Sequence, residues 1–321
     1  MSDVEHRLDR LSPERRRLAE RLAARAPSPS SSPPGAGQAR PSVDLLTHDL
    51  VERFRTAERE SEPSVAKKAA VRRFYDAVNG QLDASVAHEH SLFLNYGYVA
   101  DGHNERAVVE LPRYALNRNC MKLVLEVVGD CEVGGRTMLD VGCGRGGTIS
   151  VLNRFFDPRA LVGVDLSPAA IDFCRRTHTS PRMRFAVADA EALPFDDRQF
   201  DTVINVESSH SYPDVGAFYA EVARVLVSGG RFLYSDTIPT RALHDRIEQL
   251  VSMGLSLELS RDITPNVLRS CDEAAAINMQ AFSAENVPEV LSDFLGAPES
   301  RTYQLMQSRR MVYGIWRFRR V

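Results

Sequence analysis

The stretch Met138-Leu-Asp-Val-Gly-Cys-Gly-Arg-Gly-Gly-Thr148 constrains this chain more than any other. An apolar run opens it, glycines crowd its centre and an apolar helical pattern follows. A buried strand therefore passes through a tight turn into a helix starting near Thr148. Gly142, Gly144 and Gly147 satisfy the G-x-G-x-x-G spacing. In that spacing, missing side chains let the backbone approach a ligand held at a helix N-terminus. Short apolar runs recur at 161–165, 183–188, 202–206 and 231–236, with helical stretches fitting between them. Strands that alternate with helices build βαβ units, so the expected fold is α/β with a doubly wound, Rossmann-like, mostly parallel sheet.

The rest of the chain is organised unevenly around this core. Val4, Leu8, Leu11, Leu18 and Leu22 mark residues 1–25 as an amphipathic helix. Residues 26–42 are rich in Pro, Ser and Gly, cannot bury apolar surface and are expected to be a disordered linker. The first helix is thus tethered: it is either a solvated tail or an element for homodimerisation or docking. Residues 43–130 carry helical spacings, among them Val71, Phe74, Tyr75 and Val78, and the aromatic loop Leu92–Tyr98, and are assigned to a helical cap. Residues 131–321 are assigned to the core, whose last strand is read at 311–318 with Trp316 inside.

Charge and cysteine usage exclude several functions. A formal net charge of -3 and a pI near 6.3 provide no basic field for nucleic acid or an anionic membrane. No apolar run approaches the roughly 18 residues of a membrane span, and the Arg-rich start lacks the apolar centre of a signal peptide, so a cytoplasmic location is expected. The five cysteines are widely spaced with no C-x-x-C pair, and His88 and His90 lack a third ligand, so neither disulfides nor a metal site is expected.

Three carboxylates refine the glycine-rich signal. Asp140 stands two residues before the first glycine, where it can face an amino group. Asp165 closes the next strand, where it can accept both hydroxyls of a ribose. Asp189-Ala190 ends the third strand at the height of an adenine. With the glycines, this ordered set resembles the class I S-adenosylmethionine-dependent methyltransferases over about residues 70–321. The resemblance implies that S-adenosylmethionine is the cofactor and that the last strand is antiparallel. It places Gly142, Gly144 and Gly146 at the methionine portion, Asp165 and Leu166 at the ribose, and Asp189 and Ala190 at the adenine, with Tyr98 and Asn205 beside the cofactor. Tyr98 has a second reading as a core aromatic.

Leu94–Tyr98 and Asn205–Pro213 are similar to segments of small-molecule O-methyltransferases of polyketide and natural-product biosynthesis. That likeness implies a polyketide-like acceptor, free or carrier-bound, and a lid insertion around 262–290. Methyl transfer to oxygen needs the acceptor held in line and its proton removed. His210 follows the fourth strand, at the sheet edge where ligands bind, and is the expected base. Asp236 ends the neighbouring fifth strand and can fix the imidazole tautomer. Rebeccamycin-type sugar O-methyltransferases use such a pair, which His210 and Asp236 resemble. Glu207 is the rival orienter. C- or N-methylation, and a catalytically silent cofactor-binding partner of a synthase, stand as alternatives.

Overall fold

The computed structural model describes residues 64–84, 91–102, 106–112, 115–281, 296–298 and 300–321. The helix and linker expected at 1–42, His88 and His90, and residues 282–290 of the expected lid lie outside the described residues.

Helix α1 (Ser64–Ala84) is followed by an irregular segment and by α2 (Arg118–Val128). The alternating part then reads β1 (Thr137–Val141), α3 (Gly147–Phe155), β2 (Ala160–Asp165), α4 (Pro168–Thr177), β3 (Met183–Val187), β4 (Phe200–Val206), α5 (Val215–Val225) and β5 (Leu226–Pro239). It closes with α6 (Leu243–Ser252), β6 (Leu255–Asp262), α7 (Thr264–Ala281), α8 (Arg301–Gln307) and β7 (Met311–Arg320). The sheet order is β3-β2-β1-β4-β5-β7-β6. Neighbours from β3 to β5 pair in parallel, while β7 is antiparallel to both β5 and β6.

The period of two along each strand builds two cores. Leu139, Val141, Val203, Phe232 and Tyr234 face one way, onto Phe218, Tyr219 and Val222 of α5. Met138, Ile204 and Leu233 face the other way, onto Leu123 and Val127 of α2 and Ile149 and Leu152 of α3. Local signals start the helices: Ser167 accepts from the amide of Ala170 with Pro168 in the first turn of α4, and Asp214 caps α5 through the amide of Ala217.

Three features refine the sequence reading. The described part of 43–130 holds α1, an irregular segment and α2, and α2 joins the central layer because its apolar face packs on the sheet. Strand β6 is absent from the apolar runs read in the sequence. It is an edge strand on which Leu255 is buried while Leu257 stays 39% exposed, so its alternation mixes core and surface. Finally, the described part of α7 does not roof the cavity described below. Asn266 Nδ2 donates to Val99 O at 3.0 Å and Ser270 Oγ to Tyr96 O at 2.7 Å, so α7 holds the 95–99 segment from behind.

Candidate active site

β1 lies between β2 and β4, the point where the strand order reverses and a crevice opens at the carboxyl ends of the strands. A cavity of about 480 Å³ occupies it, within the range of small-molecule sites. One half is bounded by the turns after β1, β2 and β3; the other by the turn after β4, the end of β5, α6 and α8.

In the first half the wall is mainly backbone. Gly142 adopts φ 72°, and a Cβ there would collide with Ser208 Oγ and the Tyr212 hydroxyl. Gly142, Gly144 and Gly147 line the cavity together with Asp165, Leu166, Asp189 and Ala190. Asp165 Oδ2 accepts from the Gly144 amide at 2.9 Å and Oδ1 from the Ser167 amide at 2.9 Å. The Leu166 amide also bonds this carboxylate, which has about four acceptor positions in all and so retains capacity for a ligand hydroxyl. Burial raises the Asp165 pKa, against the pull of those amides. Asp189 Oδ2 accepts from Lys68 Nζ of α1 at 2.7 Å, and Lys68 also meets Glu191 at 2.6 Å. Burial opposes the Lys68 charge, yet its bonds to Asp189 and Glu191 raise its pKa.

Four residues expected at the cofactor do not line the cavity. Asp140 lies beneath the glycine turn at 2% exposure, where burial drives its pKa well up and Oδ2 has no hydrogen-bond partner among the described residues. Gly146 is the left-handed N-cap of α3, and a Cβ on it would sit 2.5 Å from His178 Nε2. Asn205 donates its amide to Val141 O at 2.9 Å and to Ser208 Oγ at 2.7 Å, tying the ends of β1 and β4 together. Tyr98 is a core aromatic at 1% exposure, because the left-handed Gly97 reverses the chain after Tyr96, which does reach the cavity.

The second half is built from side chains. His210 sits in the single turn Ser209–Ser211 after β4, and its Nδ1 lies 2.7 Å from Oδ1 of Asp236 on β5. The imidazole is 33% exposed and the carboxylate fully buried. Burial alone would push Asp236 up, but the positive charge and hydrogen bond of His210 and the Ser209 hydroxyl hold it below the usual carboxylate range. With an ionised Asp236 as partner, Nδ1 is the nitrogen that donates.

Glu207 does not orient His210. It adopts φ 55°, and its Oε2 accepts from the Tyr96 amide at 2.9 Å and from the Tyr313 hydroxyl at 2.5 Å. Its side chain is thus tied to Tyr313 of β7, while the charge of His210 still acts on it. Burial, only partly offset by those two donors, lifts its pKa to about 8.

Several wall residues have no local sequence signal. Tyr75 of α1 meets Ser211 Oγ at 3.1 Å, and Tyr234 of β5 also lines the cavity. Arg145, inside the glycine turn and fully buried, joins that turn to α1: Nη1 meets Asp83 Oδ1 at 2.8 Å, Nε donates to Ser91 O at 2.6 Å, and the guanidinium lies 3.4 Å over the Phe173 ring.

The sequence of this cradle matches a methyltransferase domain family over residues 139–234, from β1 through His210 to β5. A fatty-acid O-methyltransferase of Mycolicibacterium smegmatis is 36% identical over 232 residues, spanning 71% of this chain and 82% of that protein. The chain belongs to the S-adenosylmethionine-dependent methyltransferases. A phthiotriol/phenolphthiotriol dimycocerosates methyltransferase of Mycobacterium leprae is 36% identical over 192 residues, covering 56% of this methyltransferase and 69% of its own length. Among solved structures, the [4+2]-cyclase SpnF superposes with a TM-score of 0.60 at 20% identity, over 79% of this chain and 96% of its own. A geranyl diphosphate methyltransferase bound to GPP and sinefungin does so with a TM-score of 0.56 at 20% identity, over 79% and 100%. At such identity these two speak for the fold alone.

The cavity fits this methyltransferase's cofactor. Asp165 lines the cavity at a strand end with acceptor capacity left over, the glycine turn is stripped of side chains beside it, and Asp189-Ala190 stands beyond. When bound, S-adenosylmethionine supplies an electrophilic methyl group; everything else in the reaction falls to the chain's own residues.

Proposed function

We propose that this methyltransferase is an O-methyltransferase acting on a hydroxyl or enol of an apolar, lipid- or polyketide-like acceptor, with His210 as general base and Asp236 as its orienter. The observation that carries this reading is the 2.7 Å contact between His210 Nδ1 and the buried Asp236 Oδ1 in the acceptor half of the cavity. That contact fixes the imidazole with Nδ1 on Asp236, and Asp236 offsets the charge the imidazole gains when its other nitrogen takes the acceptor proton. Ile238, Pro239, Leu305 and Met311 supply apolar wall on the acceptor side, which suits an aliphatic or ring-rich acceptor. Glu207, carrying a proton near neutral pH, adds a hydrogen-bond donor to the same wall.

A second reading has support in the fatty-acid O-methyltransferase relative. If the acceptor is a carboxylic acid, it arrives ionised, and His210 positions it rather than deprotonating it. Methyl-labelled S-adenosylmethionine, offered with long-chain fatty acids, aliphatic alcohols and phenolic or enolic polyketides, separates these cases. A methyl ester releases labelled methanol in alkali, and a methyl ether does not. With an alcohol acceptor, His210→Ala is expected to lower turnover by about 10²–10⁴. With a fatty acid the loss is expected to be small, and label found only on carbon or nitrogen overturns O-methylation.

A further inference from the structure

The His210–Asp236 pair is the cavity end of a longer buried chain. Asp236 Oδ1 accepts from His210 Nδ1 and from the Thr237 amide, both at 2.7 Å. Oδ2 accepts from Ser209 Oγ at 2.6 Å and from the His210 amide at 3.1 Å. Behind Ser209 the contacts continue: its Oγ lies 2.6 Å from the Tyr234 hydroxyl, which lies 3.2 Å from the Tyr219 hydroxyl, and the guanidinium of Arg246 on α6 is the next partner of Tyr219.

Counting protons fixes every direction. A hydroxyl has one proton to give, and that of Ser209 goes to the carboxylate. Tyr234 must then donate to Ser209, and Tyr219 to Tyr234. Arg246 has no acceptor atom, so it donates to Tyr219. All of these bonds point toward Asp236, and aligned hydrogen bonds polarise one another. Packing alone does not call for the two hydroxyls. Tyr219 and Tyr234 are 0% and 2% exposed in the aromatic layer with Phe218 and Phe232, and phenylalanine would fill the same ring volume without burying a polar group.

We propose that Tyr219 and Tyr234, acting through Ser209 and anchored by Arg246, are positioning residues that set the proton affinity of the His210–Asp236 pair. The consequence for catalysis rests on His210 as the base; the titration itself does not. Donors aligned on Oδ2 draw negative charge away from Oδ1 and so weaken the support Asp236 gives to an imidazolium. Removing a donor returns that charge, and His210 should then titrate at higher pH. Among the described residues, the ionisable groups near the pair include Tyr75 from α1, Glu207 and Tyr212 on either side of the turn, and Tyr313 from β7. Substituting Tyr219 leaves them all in place.

Tyr219 does not line the cavity, so its variant cannot act through lost acceptor contact. The experiment titrates the full chain labelled with ¹⁵N-histidine, the His210 signal being assigned by its loss in His210→Gln. Tyr219→Phe and Tyr234→Phe are expected to raise the His210 midpoint by about half a unit to one unit, a three- to tenfold gain in proton affinity, with Tyr234→Phe moving it more. Arg246→Gln, on a half-buried helix face, is expected to move it the same way by less, and serves if a tyrosine variant does not fold. An unmoved or lowered midpoint in the folded variants overturns the proposal. Whether or not His210 proves to be the base is read separately, from turnover of His210→Ala.

Discussion

The two halves of the cavity are made in different ways. The candidate cofactor half comes from the segments that follow three consecutive strands, β1, β2 and β3, and its glycine turn is backbone: Gly142, Gly144 and Gly147, with the Gly144 and Ser167 amides holding Asp165. The acceptor half comes from side chains delivered by α1, the 91–98 segment, β4, β5, α6, α8 and β7. A backbone cradle is fixed by the sheet and changes little with substitution elsewhere. A side-chain wall changes one residue at a time, which lets a single cofactor serve many acceptors on one fold.

The largest expected effect tests whether the halves are separable. Asp236→Asn keeps the shape but puts an amide where two lone pairs met the imidazole and the Thr237 amide. The wrong tautomer is then favoured at His210, and turnover of a hydroxyl acceptor should fall by about 10²–10⁴. Calorimetry with S-adenosylmethionine should meanwhile find its affinity within about twofold of wild type, since no cofactor-half residue touches Asp236. Equal losses in both measurements would mean that the halves form one unit. His210→Ala combined with Asp236→Asn should be little worse than either alone, because groups that act together are not additive.

A second effect distinguishes the two buried carboxyls of the acceptor half. Asp236 is held below the usual range, whereas burial lifts Glu207 to about 8. Between the unfolded carboxyl pKa, about 4.3, and that value the folded protein keeps the Glu207 proton while the unfolded chain has lost it. The folded state binds more protons there, so this group costs stability as pH rises through the window, on the order of 1 kcal/mol per pH unit, and its contribution levels off above pH 8. Glu207→Gln, which retains an acceptor for Tyr96 N and the Tyr313 hydroxyl, should remove that slope. Urea midpoints measured from pH 5 to 8 on both proteins give the answer; parallel curves would mean that Glu207 is ionised in the fold.

Legibility follows the same division. β1, the glycine turn, Asp165 and Asp189-Ala190 were readable as cavity wall because chain order and spatial order coincide there: each sits where a strand of period two meets a turn. His210 and Asp236 were readable for the related reason that β4 and β5 are adjacent and parallel. Asp140, Gly146, Asn205 and Tyr98 fall in the same motifs but face away from the cavity or lie beneath it. Spacing tells how near a residue is to the site, not which way a left-handed turn such as Gly97 or Glu207 aims the next side chain. Lys68 and Tyr75 reach the wall, and Tyr313 reaches Glu207 behind it, across 100 residues or more of sequence, and nothing in their own neighbourhoods announces it. The same holds for the Tyr219–Tyr234–Ser209 chain, whose two tyrosines read as ordinary core aromatics until their hydroxyls are placed.

The smallest expected effect falls on the candidate cofactor half, where much of the wall is backbone. Asp165→Ala removes the acceptors offered to a ligand diol and should weaken S-adenosylmethionine by about 1–3 kcal/mol, roughly 5- to 150-fold, with catalysis at saturating cofactor largely retained. The same change also frees the Gly144 and Ser167 amides, so part of the loss would reflect a loosened turn. Asp165→Asn separates the two contributions. Its remaining oxygen can still accept from the Ser167 amide, but its NH₂ group would oppose the Gly144 amide and can no longer accept a hydroxyl proton. If Ala and Asn weaken binding equally, the diol contact dominates. If Asn is close to wild type, the cradle of amides holds the cofactor without a carboxylate, and the assignment of Asp165 to the ribose fails.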